Sequence, residues 1–162
     1  MNYREFKQLP YRKQIQVILE QPSLLNELDY KQLNTKLIKK LQMGVIKLNA
    51  FNIMNVDNPN EELQLEAVKN SPQTIEYIEN PTKKVQLEII KTIGTHMIEL
   101  IKNPTEKVQL KSIENNSSTI RNIQNPTEKV QMIILKRDMN LFNWINNPTI
   151  KAKTLYALSK KL

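Results

Sequence analysis

A nucleophile needs a base beside it, and a metal needs imidazole, thiolate or carboxylate ligands at matched spacing. This sequence supplies neither: it has no cysteine, and its single histidine, His96, has no second ligand at metal spacing. The adjacent acids Glu61 and Glu62 fall at an expected helix start, where carboxylates favour the dipole whatever the function. Two glycines, Gly44 and Gly94, are too few for a phosphate-cradling loop, which needs several close backbone approaches. No catalytic residue, metal or cofactor is expected, and the chain reads as a binding protein rather than an enzyme.

The remaining chemistry is charge, aromatic surface and amide hydrogen bonding. Lys84, Lys107, Lys129 and Lys151 recur at intervals of 23, 22 and 22 residues. They read either as an electrostatic footprint for a phosphate backbone or an acidic protein, or as ordinary solvated lysines. Ile133 is expected on the exposed side between Lys129 and Lys136, a setting typical of a protein interface. Tyr77, Trp144 and nearby Arg121 are of the types that anchor interfaces, although Trp144 could equally fill a gap near the C-terminal end. Gln64, Gln86, Gln109 and Gln131 recur on an otherwise apolar helix face. Leaving a buried amide unpaired costs about 1–3 kcal/mol, so they are read as a ladder bonding the next repeat, or else as a polar row facing a ligand.

What spaces these residues is a repeat. Asn-Pro occurs at Asn58-Pro59, Asn80-Pro81, Asn103-Pro104, Asn125-Pro126 and Asn147-Pro148, with prolines 22, 23, 22 and 22 residues apart. Such a period marks a solenoid of one supersecondary unit per repeat. In Asn103-Pro104-Thr105-Glu106-Lys107-Val108, asparagine is expected as N-cap, proline as first helical residue and Glu106 as the closing member of a capping box. Glu128 repeats the box, while Lys83 and Ile150 forgo it and predict weaker starts. Positions four, six, eight and nine after each proline form the expected core stripe, as in Val108/Leu110/Ser112/Ile113. The final helix continues the stripe with Ala152, Tyr156 and Ala157.

Turn residues follow about ten residues later, at Asn70-Ser71-Pro72, Ile93-Gly94-Thr95, Asn115-Asn116-Ser117-Ser118 and Arg137-Asp138. A second, short helix is predicted after each, α-helical or 3₁₀, with Ile75/Ile78, Ile98/Ile101, Ile120/Ile123 and Phe142/Ile145 on one face. The extra residue of the 23-residue repeat is assigned to the turn at Gly94. In the N-terminal third, Ile15-Gln16-Val17 echoes Val85-Gln86-Leu87, Pro22-Ser23-Leu24-Leu25 echoes a second helix, and Asp29-Tyr30-Lys31-Gln32 opens another helix carrying Leu33, Leu37, Ile38 and Leu41. The expected architecture is one continuous all-α domain. Degenerate N-terminal capping repeats occupy 1–56, and regular two-helix repeats of about 22 residues with a C-terminal capping helix occupy 57–162.

Asn103-Pro104-Thr105-Glu106-Lys107-Val108-Gln109-Leu110 and Val68-Lys69-Asn70-Ser71-Pro72 resemble, in outline, the unit of leucine-rich repeat variant proteins. The likeness covers about 57–162. Two features depart from that family: glutamine stands where it has arginine after valine, and the cysteine cluster that some members use for iron–sulfur binding is missing, so no cofactor is carried over. Analogy with HEAT and armadillo arrays implies a right-handed α-solenoid, and function still has to be argued from the site.

The chain's formal net charge of +8 is distributed as +5 over 1–56, −3 over 57–103 and +6 over 104–162. Two basic ends flank an acidic middle, a pattern able to steer a charged partner. Without cysteine, an apolar span or a signal segment, the chain is expected to be soluble and cytoplasmic. Its lysine, asparagine and isoleucine content suggests an AT-rich coding sequence. The leading expectation is a non-enzymatic protein-binding solenoid, such as a phage or mobile-element inhibitor or adaptor of a host factor. The alternative is a nucleic-acid binder using the lysine row. Leu155, Leu158 and Leu162 either cap the core or pair with a second copy.

Overall fold

The computed structural model describes residues 3–21, 24 and 35–161. The helix expected to open at Asp29-Tyr30-Lys31-Gln32 with Leu33, residues Pro22, Ser23 and Leu25 of the N-terminal echo, and Leu162 lie outside them. Among the described residues every regular element is helical, with α-helices and 3₁₀ helices alternating along the repeats. Two compact units are formed, Met1–Pro81 and Thr82–Leu162. The first holds α1 (Tyr3–Gln8), α2 (Tyr11–Glu20), α3 (Thr35–Leu48), η1 (Ala50–Asn55), α4 (Glu61–Asn70) and η2 (Pro72–Tyr77). The second holds α5 (Lys83–Thr92), η3 (Thr95–Leu100), α6 (Glu106–Asn115), η4 (Ser117–Asn122), α7 (Glu128–Arg137), η5 (Met139–Trp144) and α8 (Ile150–Ser159). Within each unit, α-helices stack on α-helices and η helices on η helices. The short helices are thus 3₁₀, and the extra residue sits where expected, with Gly94 at φ 136° in the turn between α5 and η3.

The helix starts differ from the sequence expectation. Asparagine is not the cap: Asn58, Asn103 and Asn147 take a left-handed backbone, with φ of 48°, 51° and 51°, a conformation asparagine tolerates better than most residues. Each helix begins two residues after the proline, and the intervening residue is the N-cap. Asn60 accepts from the Leu63 N–H at 3.0 Å, Thr82 from Val85 at 3.4 Å, Thr127 from Val130 at 3.4 Å and Thr149 from Ala152 at 3.3 Å. Glu106 and Glu128 are therefore first helical residues that complement the dipole, not box-closing ones. Lys83 and Ile150 do not mark uncapped helices. The exception is the template repeat itself, where the Thr105 Oγ1 is buried without a partner and the Val108 N–H bonds the Thr105 carbonyl at 2.8 Å.

The core stripe is also shifted. Positions four, five, eight and nine are buried, whereas Leu65, Leu87, Leu110 and Met132 at position six are only half-buried. At 3.6 residues per turn, the buried positions cover an arc from roughly 40° to 180°, and position six falls at about 240°. Ser112 is in the core as expected and is satisfied by donating to the Val108 carbonyl at 3.0 Å. In α8 only Ala152 is fully buried; Tyr156 is half-buried and Ala157 exposed.

The regular pattern extends into α3. Leu41, Gln42, Val45 and Ile46 are buried at the same offsets as Leu63, Gln64, Ala67 and Val68, 22 residues earlier, and η1 follows as the second helix. No Asn-Pro precedes this repeat, which hid it in the sequence. The proposed echo in α2 fails: Gln16 is exposed and bonds Glu20 at 3.1 Å, whereas Gln14 is buried and donates to the Phe6 carbonyl at 3.2 Å. Gly44 lets α3 approach α2, since a Cβ there would lie 2.7 Å from Ile15 Cδ1 and 2.8 Å from the Tyr11 hydroxyl.

Candidate interaction surface

The position-five glutamines lie inside the stack and bind the loop leading into the next helix. Gln109 Nε2 donates to the Pro104 carbonyl at 3.0 Å and the Asn125 carbonyl at 3.3 Å, while its Oε1 accepts from the Thr127 N–H at 2.9 Å. Gln131 repeats the pattern with the Pro126 and Asn147 carbonyls and the Thr149 N–H, at 2.8, 3.4 and 2.8 Å. Gln86 Oε1 accepts from the Thr105 N–H at 3.0 Å, and Gln64 Nε2 donates to the Pro59 and Asn80 carbonyls at 2.8 and 3.3 Å. One planar amide thus clamps two successive loops, and the ladder expected from the sequence forms. Their amides hold the register between repeats, and Gln109 and Gln64 also border surface clefts.

The lysine row joins a second inter-repeat link. Lys129 Nζ lies 3.3 Å from Glu106 Oε1, and Lys151 Nζ lies 2.6 Å from Glu128 Oε1. Glu106 Oε2 also accepts from the Thr127 hydroxyl at 3.0 Å, so one carboxylate meets both the cap and the lysine of the following repeat. The hydrogen bond and charge of Glu128 raise the Lys151 pKa above its ordinary 10.5. Lys84 and Lys107 are exposed in the same row. Where Glu106 and Glu128 precede Lys129 and Lys151, the residue preceding Lys107 in the array is Lys83, a like charge. Sequence reasoning missed that the row is partly neutralised by the acids one repeat before it, although the Glu-to-Lys offset of 23 residues was visible. Lys136 is exposed, but Ile133 is half-buried rather than exposed. At position seven it borders the buried arc, with α6 and α8 packed on either side of its helix.

The η side of the second unit is different. Trp144, at the end of η5, is 42% exposed, and the Arg121 guanidinium of η4 sits over its ring at 5.5 Å. Asn146 Nδ2 donates to the Arg121 carbonyl at 3.0 Å and the Ile123 carbonyl at 2.9 Å, tying the loop after η5 to the end of η4. Asn122 Nδ2 donates to Glu99 Oε2 at 3.2 Å, tying η4 to η3. Beside them lies a cleft of about 190 Å³ whose wall includes Glu99, Asn103, Asn122, Gln124 and Asn125. An exposed cation–π pair next to an amide-lined cleft can take an aromatic or apolar side chain and hydrogen-bond the backbone that carries it. In the first unit Tyr77, at the matching place on η2, is 46% exposed and meets Phe51 edge-on, with ring centroids 5.9 Å apart.

Among the described residues no group of three or more His, Asp or Glu side chains could hold a metal ion, and no helix is long and apolar enough to cross a membrane. No protein-family model matches the chain, and no curated protein or solved structure matches it either. Fold and surface together define a class, an all-α protein of stacked helix-pair repeats. The stacking fits a generic α-helical repeat array and singles out no particular repeat family.

Proposed function

We propose that this repeat protein binds another protein through its η side, as an adaptor or inhibitor without chemistry of its own. Arg121 and Trp144 are the anchors, Tyr77 is the corresponding anchor of the first unit, and exposed lysines such as Lys107 and Lys136 form a steering rim. The observation that carries this reading is the exposed Trp144 ring lying under the Arg121 guanidinium. A large, rigid aromatic loses little entropy on binding, and Trp and Arg dominate interface hot spots. The lysine row offers less to nucleic acid than its spacing suggests, because Lys129 and Lys151 already face carboxylates.

The test compares Arg121→Ala/Trp144→Ala with Lys107→Glu/Lys129→Glu in affinity capture from a bacterial lysate and in titrations with labelled DNA and RNA. The expected result is capture of a protein that is lost with the first variant, only weakened with the second and weakly dependent on salt. Nucleic-acid binding that falls steeply with salt and disappears in the charge-reversed variant contradicts the proposal.

A further inference from the structure

The first unit carries a partly exposed apolar patch where η1 meets η2. Phe51 and Met54 of η1 and Tyr77 of η2 are 38%, 51% and 46% exposed. Met54 and Tyr77 flank a cleft of about 370 Å³ that also has Val56, Pro59 and the carboxylates Asp57 and Glu79 on its wall. That volume is at the lower end of ligand-sized pockets, suited to one large side chain. Methionine and aromatic side chains are enriched where proteins meet, and methionine adapts to the shape it receives. Among the described residues the cleft wall contains no lysine or arginine, and Glu76 is a further exposed acid on η2. In a chain of net charge +8, residues 49–81 hold six acids and one lysine.

From this juxtaposition we infer that the Met54–Tyr77 cleft takes a partner segment bearing one large apolar side chain flanked by lysines or arginines. The apolar side chain enters between Met54 and Tyr77, and the flanking cations meet Asp57, Glu76 and Glu79. The carboxylates choose the partner by charge, since an acidic segment would bring like charges together over the same cleft. This inference rests on the protein-binding reading above and adds the chemistry of what the first unit accepts.

The probe is a labelled peptide with one phenylalanine flanked on each side by two lysines, compared with its counterpart carrying glutamates. Binding is followed by anisotropy and by amide chemical shifts of the full chain. The lysine peptide is expected to bind at least about tenfold more tightly than the glutamate peptide, and Asp57→Asn/Glu79→Gln to weaken it about three- to tenfold. Met54→Ser and Tyr77→Ala, both at exposed positions, abolish the shifts around η1 and η2. Equal binding of the two peptides, or wild-type binding by these variants, overturns the inference. Binding lost in Trp144→Ala but kept in Tyr77→Ala also overturns it, while leaving the protein-binding reading standing.

Discussion

Gln109 and Gln131 each use both ends of the amide, so no other side chain substitutes for them. Leucine fills the volume but orphans two carbonyls and an N–H, and glutamate loses the donor. The glutamines were legible because a polar residue returned to the same place in an apolar arc. The caps were not, because two capping types stand one residue either side of each proline, as with Asn103 and Thr105, and single-residue preferences do not choose between them. What decides is where the helix starts: it begins two residues after each proline, so the residue between is the N-cap. This holds whether the asparagine before the proline is left-handed, as Asn147 is, or not, as at Asn125. Thr105 gives a sharp test, since its Oγ1 is buried without a partner whereas the Thr149 Oγ1 caps α8. Thr105→Val is expected to leave the melting temperature unchanged or raise it. Thr149→Val, removing a working cap, should cost about 1 kcal/mol in denaturant unfolding.

At the level of elements, each unit stacks α-helices on α-helices and 3₁₀ helices on 3₁₀ helices, joined by loops that the glutamines clamp. The period, the two helices per repeat and the site of the inserted residue could be read from the sequence, since they depend on local turn chemistry. The repeat at α3 could not, because it lacks Asn-Pro and is recognisable only by the burial of Leu41, Gln42, Val45 and Ile46. Neither could the pairing of Glu106 with Lys129 and Glu128 with Lys151, which depends on how far successive helices slide past each other. That ladder is broken where Lys83 precedes Lys107. Lys83→Glu should complete it and place an acid at a helix start, raising the melting temperature by about 1–3 °C at low salt, with the gain shrinking as salt is added. An unchanged or lowered melting temperature would mean that Lys83 and Lys107 do not face each other as their counterparts do.

Across the molecule, the polar and aromatic residues divide by task. Glutamines, cap threonines and the Glu–Lys ladder hold repeats in register, and the exposed aromatic side chains of the η helices are the proposed anchors for a partner. The architecture of this division followed from the repeat. The surface did not, since the pairing of Arg121 with Trp144 joins residues 23 apart through the stacking of η4 on η5. The most direct test scores Gln109→Leu for both thermal unfolding and capture of the protein partner below its melting temperature. Destabilisation of about 2–3 kcal/mol is expected, a drop on the order of 5–10 °C, with capture intact. An unchanged melting temperature with capture lost would place the glutamines in the binding site and contradict their role in register.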